Sequence, residues 1–335
     1  MRLGFRLGML LAMRRQDSFR EKREMEKRCL RYSYVKFLQY APPPRTQNSP
    51  IRQPAREDHM SQAKSAIPEG FRSLTQYLIV NNASGFLEFI QKAFGANEKY
   101  LMRGDNGTIH HAAAHVGESI IEFADAGPQW KAMPAGLHYY VPNSDDVYAR
   151  ALQAGATSLR EPVNQDYGDR EGDVLDPCGN IWFISTHTAG NAFKPEILQD
   201  LNTYFSVKEA ARFLDFLRNA FGATVLQNEA GANRSVAHAK VRIGDTVVEL
   251  SEGRAPWGPR AVAHHYYVPD CDQVFAQALG AGCTRLQPMA DQIYGDRSGS
   301  LLDSWGNHWY IASHREDLTS EEIAQRAVAA ASGRH

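Results

Sequence analysis

The pentapeptide His138-Tyr139-Tyr140-Val141-Pro142 occurs a second time, unchanged, at residues 265–269. Shifting residues 74–187 forward by 127 positions lays them on residues 201–314 without a gap, and 45 of the 114 positions are then identical. A repeat of about 110 residues is long enough to bury a core of its own. The repeat therefore indicates a duplicated domain rather than a short solenoid unit.

Each copy contains the same succession of elements twice. In the first copy an apolar run at Leu74–Val80 predicts a strand, and the apolar positions of residues 84–94 share one helical face that ends at Gly95. Three further strands follow, separated by turn residues. The pattern βαβββ thus occurs four times. It predicts an α+β fold of two tandem domains at residues 72–190 and 199–316, each a pair of modules forming a cupped mixed sheet with the helices outside.

The charge is unevenly distributed along the chain. Residues 1–60 contain 14 Lys+Arg and 6 Asp+Glu, a net of +8, whereas the remaining residues contain 23 and 32, a net of −9. An acidic body repels a nucleic-acid backbone, so we expect no nucleic-acid partner. The four cysteines form no Cys-x-x-Cys pair, which favours a reducing cytoplasm over a disulfide framework. No run of about 18 apolar residues occurs, so we expect no membrane partner.

The two ends of the chain differ from the repeats. Residues 1–66 are typical of a basic, disordered extension, because the stretch from Ala41 to Arg56 is rich in Pro, Gln, Asn and Arg. Met60 precedes a sequence typical of a natural start, so we interpret residues 1–59 as an upstream extension or a mis-set start, with a basic docking arm as the alternative. Residues 318–335 predict a helical tail with capping residues and early acids.

Strand periodicity selects the polar side chains that could line a cup. Glu122 shares its face of the fourth strand with Ile120 and Ala124, which indicates a dry, partly buried carboxylate. His138 and Tyr140 share a face of the fifth strand in the same way. The second copy has Glu249, His265 and Tyr267 at the matching places, so we expect both copies to retain the same arrangement.

These residues resemble the vicinal oxygen chelate superfamily, which includes glyoxalase I, bleomycin-resistance proteins and extradiol dioxygenases. More narrowly, the chain is similar to the PhnB-like subgroup. The resemblance covers most of the chain beyond the extension. It is carried by Tyr77-Leu78-Ile79-Val80, Lys92-Ala93-Phe94-Gly95-Ala96, Arg242-Ile243-Gly244-Asp245, residues 291–299 and residues 309–314. One fold serves many chemistries, so the resemblance implies the fold and the reaction has to be argued from the site.

In metal-using members of the superfamily, four ligands come from the first and last strands of each half. The resemblance places the fourth-strand glutamate at Glu122 and Glu249, and the fifth-strand histidine at His138 and His265. The other two positions hold residues that are poor ligands, namely Thr75 and Asn202 in the first strands and Phe183 and Tyr310 in the last strands. This departure argues against a glyoxalase I reaction.

A third candidate ligand is a histidine on the third strand, His111 in the first copy and His238 in the second, where the PhnB-like pattern also has a histidine. Two histidines and one carboxylate suit a divalent Fe, Mn, Ni or Zn with open positions. Such an ion could assist a lyase, isomerase or dioxygenase acting on a small oxygenated substrate. Glu122 and Glu249 are then also the candidate catalytic bases, for a proton next to a carbonyl.

The alternative is a metal-free cup that sequesters a small molecule, as the resemblance to bleomycin-resistance proteins implies. The glutamate and histidine then form a buried ion pair, while Tyr140, Tyr267, Trp130 and Trp257 supply the walls. Two arginines in the repeated Tyr-Gly-Asp-Arg string, Arg170 and Arg297, are candidates for binding an anionic group of the substrate. The same string is also typical of a turn with local pairing.

The duplication predicts a pseudo-dimer within one chain, which is itself a monomer or a homodimer. The modules could pair within a copy or be exchanged between copies. In the exchanged arrangement Glu122 shares a site with His265, and Glu249 shares a site with His138. The sequence leaves both arrangements open.

Overall fold

The computed structural model describes residues 62–104, 106–232, 235–255 and 257–332. The first 61 residues, including the expected start at Met60, lie outside these ranges. The first copy contains β1 (Leu74–Val80), α1 (Ala83–Phe94), β2 (Asn97–Arg103), β3 (Ile109–Val116), β4 (Ser119–Asp125), β5 (Gly136–Tyr140), α2 (Ser144–Gln153), β6 (Thr157–Asn164), β7 (Asp169–Leu175) and β8 (Ile181–His187).

The second copy repeats this order. It contains β9 (Leu201–Val207), α3 (Ala210–Phe221), β10 (Thr224–Ala230), β11 (Val236–Ile243), β12 (Thr246–Glu252), β13 (Ala263–Tyr267), α4 (Cys271–Gly280), β14 (Thr284–Asp291), β15 (Asp296–Leu302), β16 (His308–His314) and the tail helix α5 (Ser320–Ser332). The predicted α+β class and the fourfold βαβββ pattern are therefore confirmed.

Local sequence explains why the first helix of each copy has these bounds. The Asn82 side chain accepts a hydrogen bond from the Gly85 amide at 2.9 Å, which satisfies a free amide of the first turn of α1. Gly95 ends the helix with a φ of 68°, a left-handed conformation that glycine adopts without a Cβ penalty. Between these ends the apolar face, including Phe86 and Ile90, is buried.

The modules are exchanged between the copies. One eight-stranded sheet has the order β14-β15-β16-β13-β1-β4-β3-β2, and the other has the order β10-β11-β12-β9-β5-β8-β7-β6. The antiparallel pairs β1–β13 and β5–β9 join a strand of one copy to a strand of the other. Of the two arrangements that the sequence allows, the structure has the exchanged one, and both sheets are completed within a single chain.

The helices hold the two halves of each copy together while the strands join the copies. In the first copy the Phe94 ring lies 4.4 Å from the Trp182 ring, although the strands β1 to β4 of the module that contains α1 lie in one sheet and β8 lies in the other. In the second copy Phe221 and Trp309 repeat this contact at 4.3 Å. Both tryptophans are fully buried. One continuous apolar core therefore links the two sheets, and each cup contains residues from both copies.

The ends of the described chain pack against the second copy. Residues 62–66 belong to the predicted extension, yet Gln62 forms a bridge with Glu316 and the Ala66 carbonyl accepts from the His314 amide at 2.9 Å. Arg326 of α5 forms an ion pair with Glu316. Within the described ranges, no helix has both the length and the apolarity that a membrane span requires.

Candidate functional site

Each sheet carries one cup, and each cup has a buried glutamate at its centre. The Glu122 cup contains Glu122, His111 and Tyr100 from the first copy and His265 from the second. The Glu249 cup contains Glu249, His238 and Gln227 from the second copy and His138 from the first. Each glutamate is 1% exposed, so its charge needs partners nearby.

In the Glu122 cup the glutamate is fully surrounded by partners. His111 Nε2 lies 3.1 Å from Glu122 Oε1, and His265 Nδ1 lies 3.1 Å from Glu122 Oε2. The Tyr100 hydroxyl donates to Glu122 Oε1 at 3.1 Å and lies 3.2 Å from His111 Nε2. Burial opposes the charge on Glu122, but the two histidines outweigh it and hold the pKa of Glu122 well below its usual value.

In the Glu249 cup the equivalent glutamate and histidines meet, but the residue that corresponds to Tyr100 is not a tyrosine. His138 Nδ1 lies 2.7 Å from Glu249 Oε2, and His238 Nε2 lies 3.1 Å from Glu249 Oε1. Gln227 stands where the first copy has Tyr100, and its amide donates to Glu229 at 2.7 Å instead. Burial again opposes the charge on Glu249, and His138 and His238 hold the pKa of Glu249 well below its usual value.

The second ring nitrogen of His138 has partners of its own. His138 Nε2 lies 2.8 Å from Ser185 Oγ and 3.3 Å from Glu171 Oε2, while Ser185 donates to Glu171 at 2.8 Å. Because Ser185 uses its proton on Glu171, His138 Nε2 has to be a donor, and His138 is an imidazolium between two carboxylates. Burial opposes this charge, but Glu249 and Glu171 raise the pKa of His138 to about 10.

An ionic cluster behind His138 distinguishes the Glu249 cup further. Arg160 forms an ion pair with Glu171 and donates to Asp173 at 3.0 Å. Burial favours the neutral acid, yet His138 and the neighbouring hydroxyl and guanidinium lower the pKa of Glu171 to about 2. Burial raises the pKa of Asp173 to about 6. The first sheet has Gln287, Ser298 and Ser300 at the matching positions, so its cup lacks these charges.

A cavity of about 540 Å³ converges on the Glu249–His138 pair. This volume is in the range of sites for small organic molecules. Its walls include Tyr204, Phe183 and Trp257, with Phe183 5.1 Å from the Tyr204 ring and 5.7 Å from the Trp257 ring. Pro195, in the segment that joins the two copies, also lines it. The arrangement can enclose a flat or apolar body next to a buried ion pair.

The predicted substrate-binding residues lie in two different places. Tyr140 lines the cavity, and its hydroxyl donates to Asp169 at 2.8 Å; Tyr267 makes the matching bond to Asp296 at 3.0 Å. The arginines lie elsewhere: Arg170 pairs with Asp145 at 2.5 and 2.6 Å, and Arg297 pairs with Asp272 at 2.6 and 2.7 Å. Their guanidinium groups therefore bind the first turns of α2 and α4.

The two tryptophans that the sequence predicts to cover the cups have different surroundings in the two copies. Trp257 lines the cavity. Trp130 packs at the rim of the Glu122 cup, 5.8 Å from the Tyr310 ring and 5.5 Å from the His308 ring. Tyr310 in turn lies 5.2 Å from Tyr77. The Glu122 cup is thus covered by an aromatic cluster.

A metal ion held in the four-ligand manner of the metal-using relatives does not fit this donor set. Asn202 is committed to Gln199, accepting its amide protons at 3.0 and 2.7 Å and donating to its carbonyl at 2.8 Å. Phe183 has no donor atom. The two histidines lie against different oxygens of Glu249, and no three His, Cys, Asp or Glu side chains within the described ranges gather into a group that could hold a metal ion.

Several residues of the site were missed at the level of sequence. They share one property, which is that the two copies differ at their positions. They are Tyr100, Arg160, Glu171, Asp173, Lys240 and Arg260. A search for residues that both copies retain passes over them. A search for charge differences between the copies on strands β6, β7 and β11 would have found Arg160, Glu171, Asp173 and Lys240.

Comparison with known proteins identifies the family. The sequence profile of the Glyoxalase/Bleomycin resistance protein/Dioxygenase superfamily matches residues 72–184 and 201–311. The chain belongs to this superfamily. The superfamily resemblance drawn from the sequence is thereby confirmed, and the narrower PhnB-like assignment stays a prediction.

Similar sequences come from mycobacteria. An uncharacterised protein of Mycobacterium bovis is 31% identical over 134 residues, an alignment that covers 37% of this chain and 88% of that protein. An uncharacterised protein of Mycobacterium tuberculosis has the same identity and length of alignment, with 79% of its own chain covered. These relatives therefore correspond to about one copy of the repeat.

Similar solved structures span both copies. Glyoxalase I from Zea mays superposes with a TM-score of 0.53 at 14% identity, covering 76% of this chain and 95% of that one. A putative dioxygenase from Bacillus subtilis superposes with a TM-score of 0.50 at 17% identity, covering 78% and 91%. At these identities the likeness concerns the fold alone.

Proposed function

We propose that this superfamily member binds a small molecule in the Glu249 cup without a metal ion, and that the Glu249–His138 ion pair is the polar anchor of that site. The observation that carries the proposal is the cavity of about 540 Å³ that ends on this pair. A concave site in which aromatic walls surround converging polar groups is a usual form of a small-molecule site.

The state of His138 supports a metal-free anchor. A histidine ligand has to present an unprotonated nitrogen to the ion. Both ring nitrogens of His138 are held as donors, one by Glu249 at 2.7 Å and the other by Ser185 at 2.8 Å. The pair therefore offers a ligand a fixed, buried arrangement of charges.

A divalent-metal-assisted lyase, isomerase or dioxygenase is the second candidate. The composition of the donor set supports it, because a glutamate and two histidines meet at 2.7 and 3.1 Å in the Glu249 cup. In the described arrangement both histidines face the carboxylate, so His138 would have to lose a proton and turn away from Glu249 before this set could hold Fe, Mn, Ni or Zn. A bound ion would then supply Lewis-acid activation of a substrate oxygen.

The two candidates are separated by metal analysis of the purified protein and by a matched pair of variants. We expect no stoichiometric divalent ion, and we expect calorimetry against bleomycin, a catechol and the glutathione–methylglyoxal hemithioacetal to detect binding of at least one of them. Glu249→Gln should abolish that binding and Glu122→Gln should leave it intact. One bound ion per chain, lost in Glu249→Gln, would instead establish the metal-assisted candidate.

A further inference from the structure

Two cations, Lys240 and Arg260, line the cavity of the Glu249 cup. Lys240 lies on β11, directly opposite Glu249 in the β11–β12 register, and Arg260 lies in the loop before β13. Within the described ranges neither of them forms an ion pair. The Arg260 guanidinium donates to the carbonyl of Gly179 at 3.1 Å.

Three of the four acidic groups that line the cavity, by contrast, are already paired. Asp169 accepts from the Tyr140 hydroxyl and contacts His187 at 2.6 Å. Glu171 is paired with Arg160 and His138, and Glu249 is held by its two histidines. The fourth, Glu229, is exposed and accepts from the Gln227 amide at 2.7 Å. At the three buried carboxylates a cationic ligand would have to break an existing ion pair, whereas an anionic ligand would find Lys240 and Arg260 outside any ion pair.

The burial of Arg260 strengthens the expected preference of the cavity for an anionic ligand over a cationic one. Its guanidinium is about half-buried, and burial lowers the pKa of Arg260 because no carboxylate compensates the lost hydration. A desolvated guanidinium is a strong donor for carboxylate and phosphate oxygens, with which it can form two parallel hydrogen bonds.

The first copy provides an internal comparison for these two residues. At the positions that match Lys240 and Arg260 it has Ala113 and Met133, so the Glu122 cup has no corresponding cations. Ala113 lies opposite Glu122 just as Lys240 lies opposite Glu249. The two cations are thus a property of one cup and are not required by the fold.

We infer that the ligand of the Glu249 cup is a small organic anion, with a carboxylate, phosphonate or phosphate group bound by Lys240 and Arg260 and an aromatic or apolar body packed on Phe183, Tyr204 and Trp257. This inference rests on the proposed function and adds the chemical class of the ligand. It also assigns one anion to each chain, in the Glu249 cup.

The test uses three probes of similar size, namely phenylphosphonate, benzyl alcohol and benzyltrimethylammonium, with binding measured by calorimetry on the full chain. Phenylphosphonate should bind with one site per chain and the other two probes should bind at least about tenfold more weakly, since a hydrogen bond to a charged group contributes about 1.5–3 kcal/mol. Lys240→Ala and Arg260→Met, which install the residues of the first copy, should each weaken phenylphosphonate binding about tenfold or more.

Two further variants guard against misfolding and general charge effects. Arg260→Lys keeps the charge and should bind more tightly than Arg260→Met. Lys92→Ala removes an exposed lysine on α1, far from the cavity, and should bind like the wild-type chain. Thermal unfolding of each variant shows whether it is folded.

The outcomes separate the inference from the proposed function. Tighter binding of benzyltrimethylammonium or benzyl alcohol, abolished by Glu249→Gln, would overturn the anion assignment and leave the Glu249 cup as the ligand site. Phenylphosphonate binding that Lys240→Ala and Arg260→Met leave unchanged would also overturn it. Absence of binding by all three probes would contradict the anion assignment, while the calorimetry against larger compounds decides the proposed function independently.

Discussion

The Glu122 cup and the Glu249 cup have the same centre and different surroundings. Both contain a glutamate that is 1% exposed between two histidines, and in both the histidine on the fifth strand of a copy reaches the glutamate of the other copy. In the Glu122 cup the Tyr100 hydroxyl lies between His111 and Glu122. In the Glu249 cup the corresponding position holds Gln227, which lines the cavity together with His238 and Glu249. The comparison indicates that the shared centre maintains the exchanged sheets, while the differing residues decide which cup accepts a ligand.

The largest effect on ligand binding is expected at Gln227, where the first copy has Tyr100. Gln227→Tyr should place a phenol between His238 and Glu249, as Tyr100 does in the other cup, and should abolish phenylphosphonate binding. Gln227→Ala should retain binding and serves as the control. Calorimetry of the two variants checks this, and wild-type affinity in Gln227→Tyr would show that position 227 does not control access.

The reverse exchange sharpens the same comparison. Tyr100→Gln alone removes the phenol but supplies no cations, so it should gain no anion site. The triple variant Tyr100→Gln, Ala113→Lys, Met133→Arg should gain a second phenylphosphonate site per chain. A triple variant that still binds one anion would show that the aromatic cluster around Tyr310 closes the Glu122 cup independently of Tyr100.

Removal of either glutamate should destabilise the fold. Glu122→Ala and Glu249→Ala should each lower the free energy of unfolding by about 3 kcal/mol, because each leaves buried polar groups without their partner. The loss should be smaller for Glu249→Ala, since His138 keeps Glu171 at 3.3 Å, whereas among the described residues His265 forms an ion pair with Glu122 alone. Chemical denaturation measures both values, and a larger loss for Glu249→Ala would contradict the role assigned to Glu171.

The pH dependence of stability should follow His138. Its pKa is raised to about 10 in the folded chain, from about 6.5 in an unfolded one. The protonation of His138 therefore contributes fully to stability below pH 6.5, and this contribution is lost as the pH rises through 10. Denaturation between pH 6 and 10 should show the decline, and Glu171→Ser, which installs the residue of the other cup, should shift it to lower pH. An unchanged profile in Glu171→Ser would exclude Glu171 as a partner.

The smallest effects are expected at the arginines of the Tyr-Gly-Asp-Arg strings. Arg170→Ala and Arg297→Ala break partly exposed ion pairs with Asp145 and Asp272, so each should lower the free energy of unfolding only slightly. Neither should alter phenylphosphonate binding. A clear loss of binding in Arg170→Ala would support the sequence-based prediction that this arginine binds the substrate.

The sequence predicted the fold because each module repeats strong local signals. The apolar face of α1 and the glycine at its end specify a helix without knowledge of the partner sheet. The pairing of modules could not be predicted from the sequence. Strands β5 and β13 have the same pattern, so β1 could pair with either of them, and only the packing of the complete sheets selects β13.

The site was predictable at its centre and unpredictable around it. Glu249, His138 and His238 stand out because both copies retain their counterparts, and the structure brings them together. Lys240 and Arg260 have no counterpart of the same charge in the first copy, and Lys240 faces the cup only because β11 pairs with β12 in the observed register. The functional difference between the cups therefore lies at positions where the two copies disagree.

Histidine side-chain NMR of the 15N-labelled wild-type chain, titrated with phenylphosphonate, tests the central claim most directly. The imidazole nitrogens of each cup report on that cup alone. The account predicts that the resonances of His138 and His238 shift with saturation at one equivalent, while those of His111 and His265 stay in place. Equal shifts in both cups, or shifts confined to His111 and His265, would contradict it.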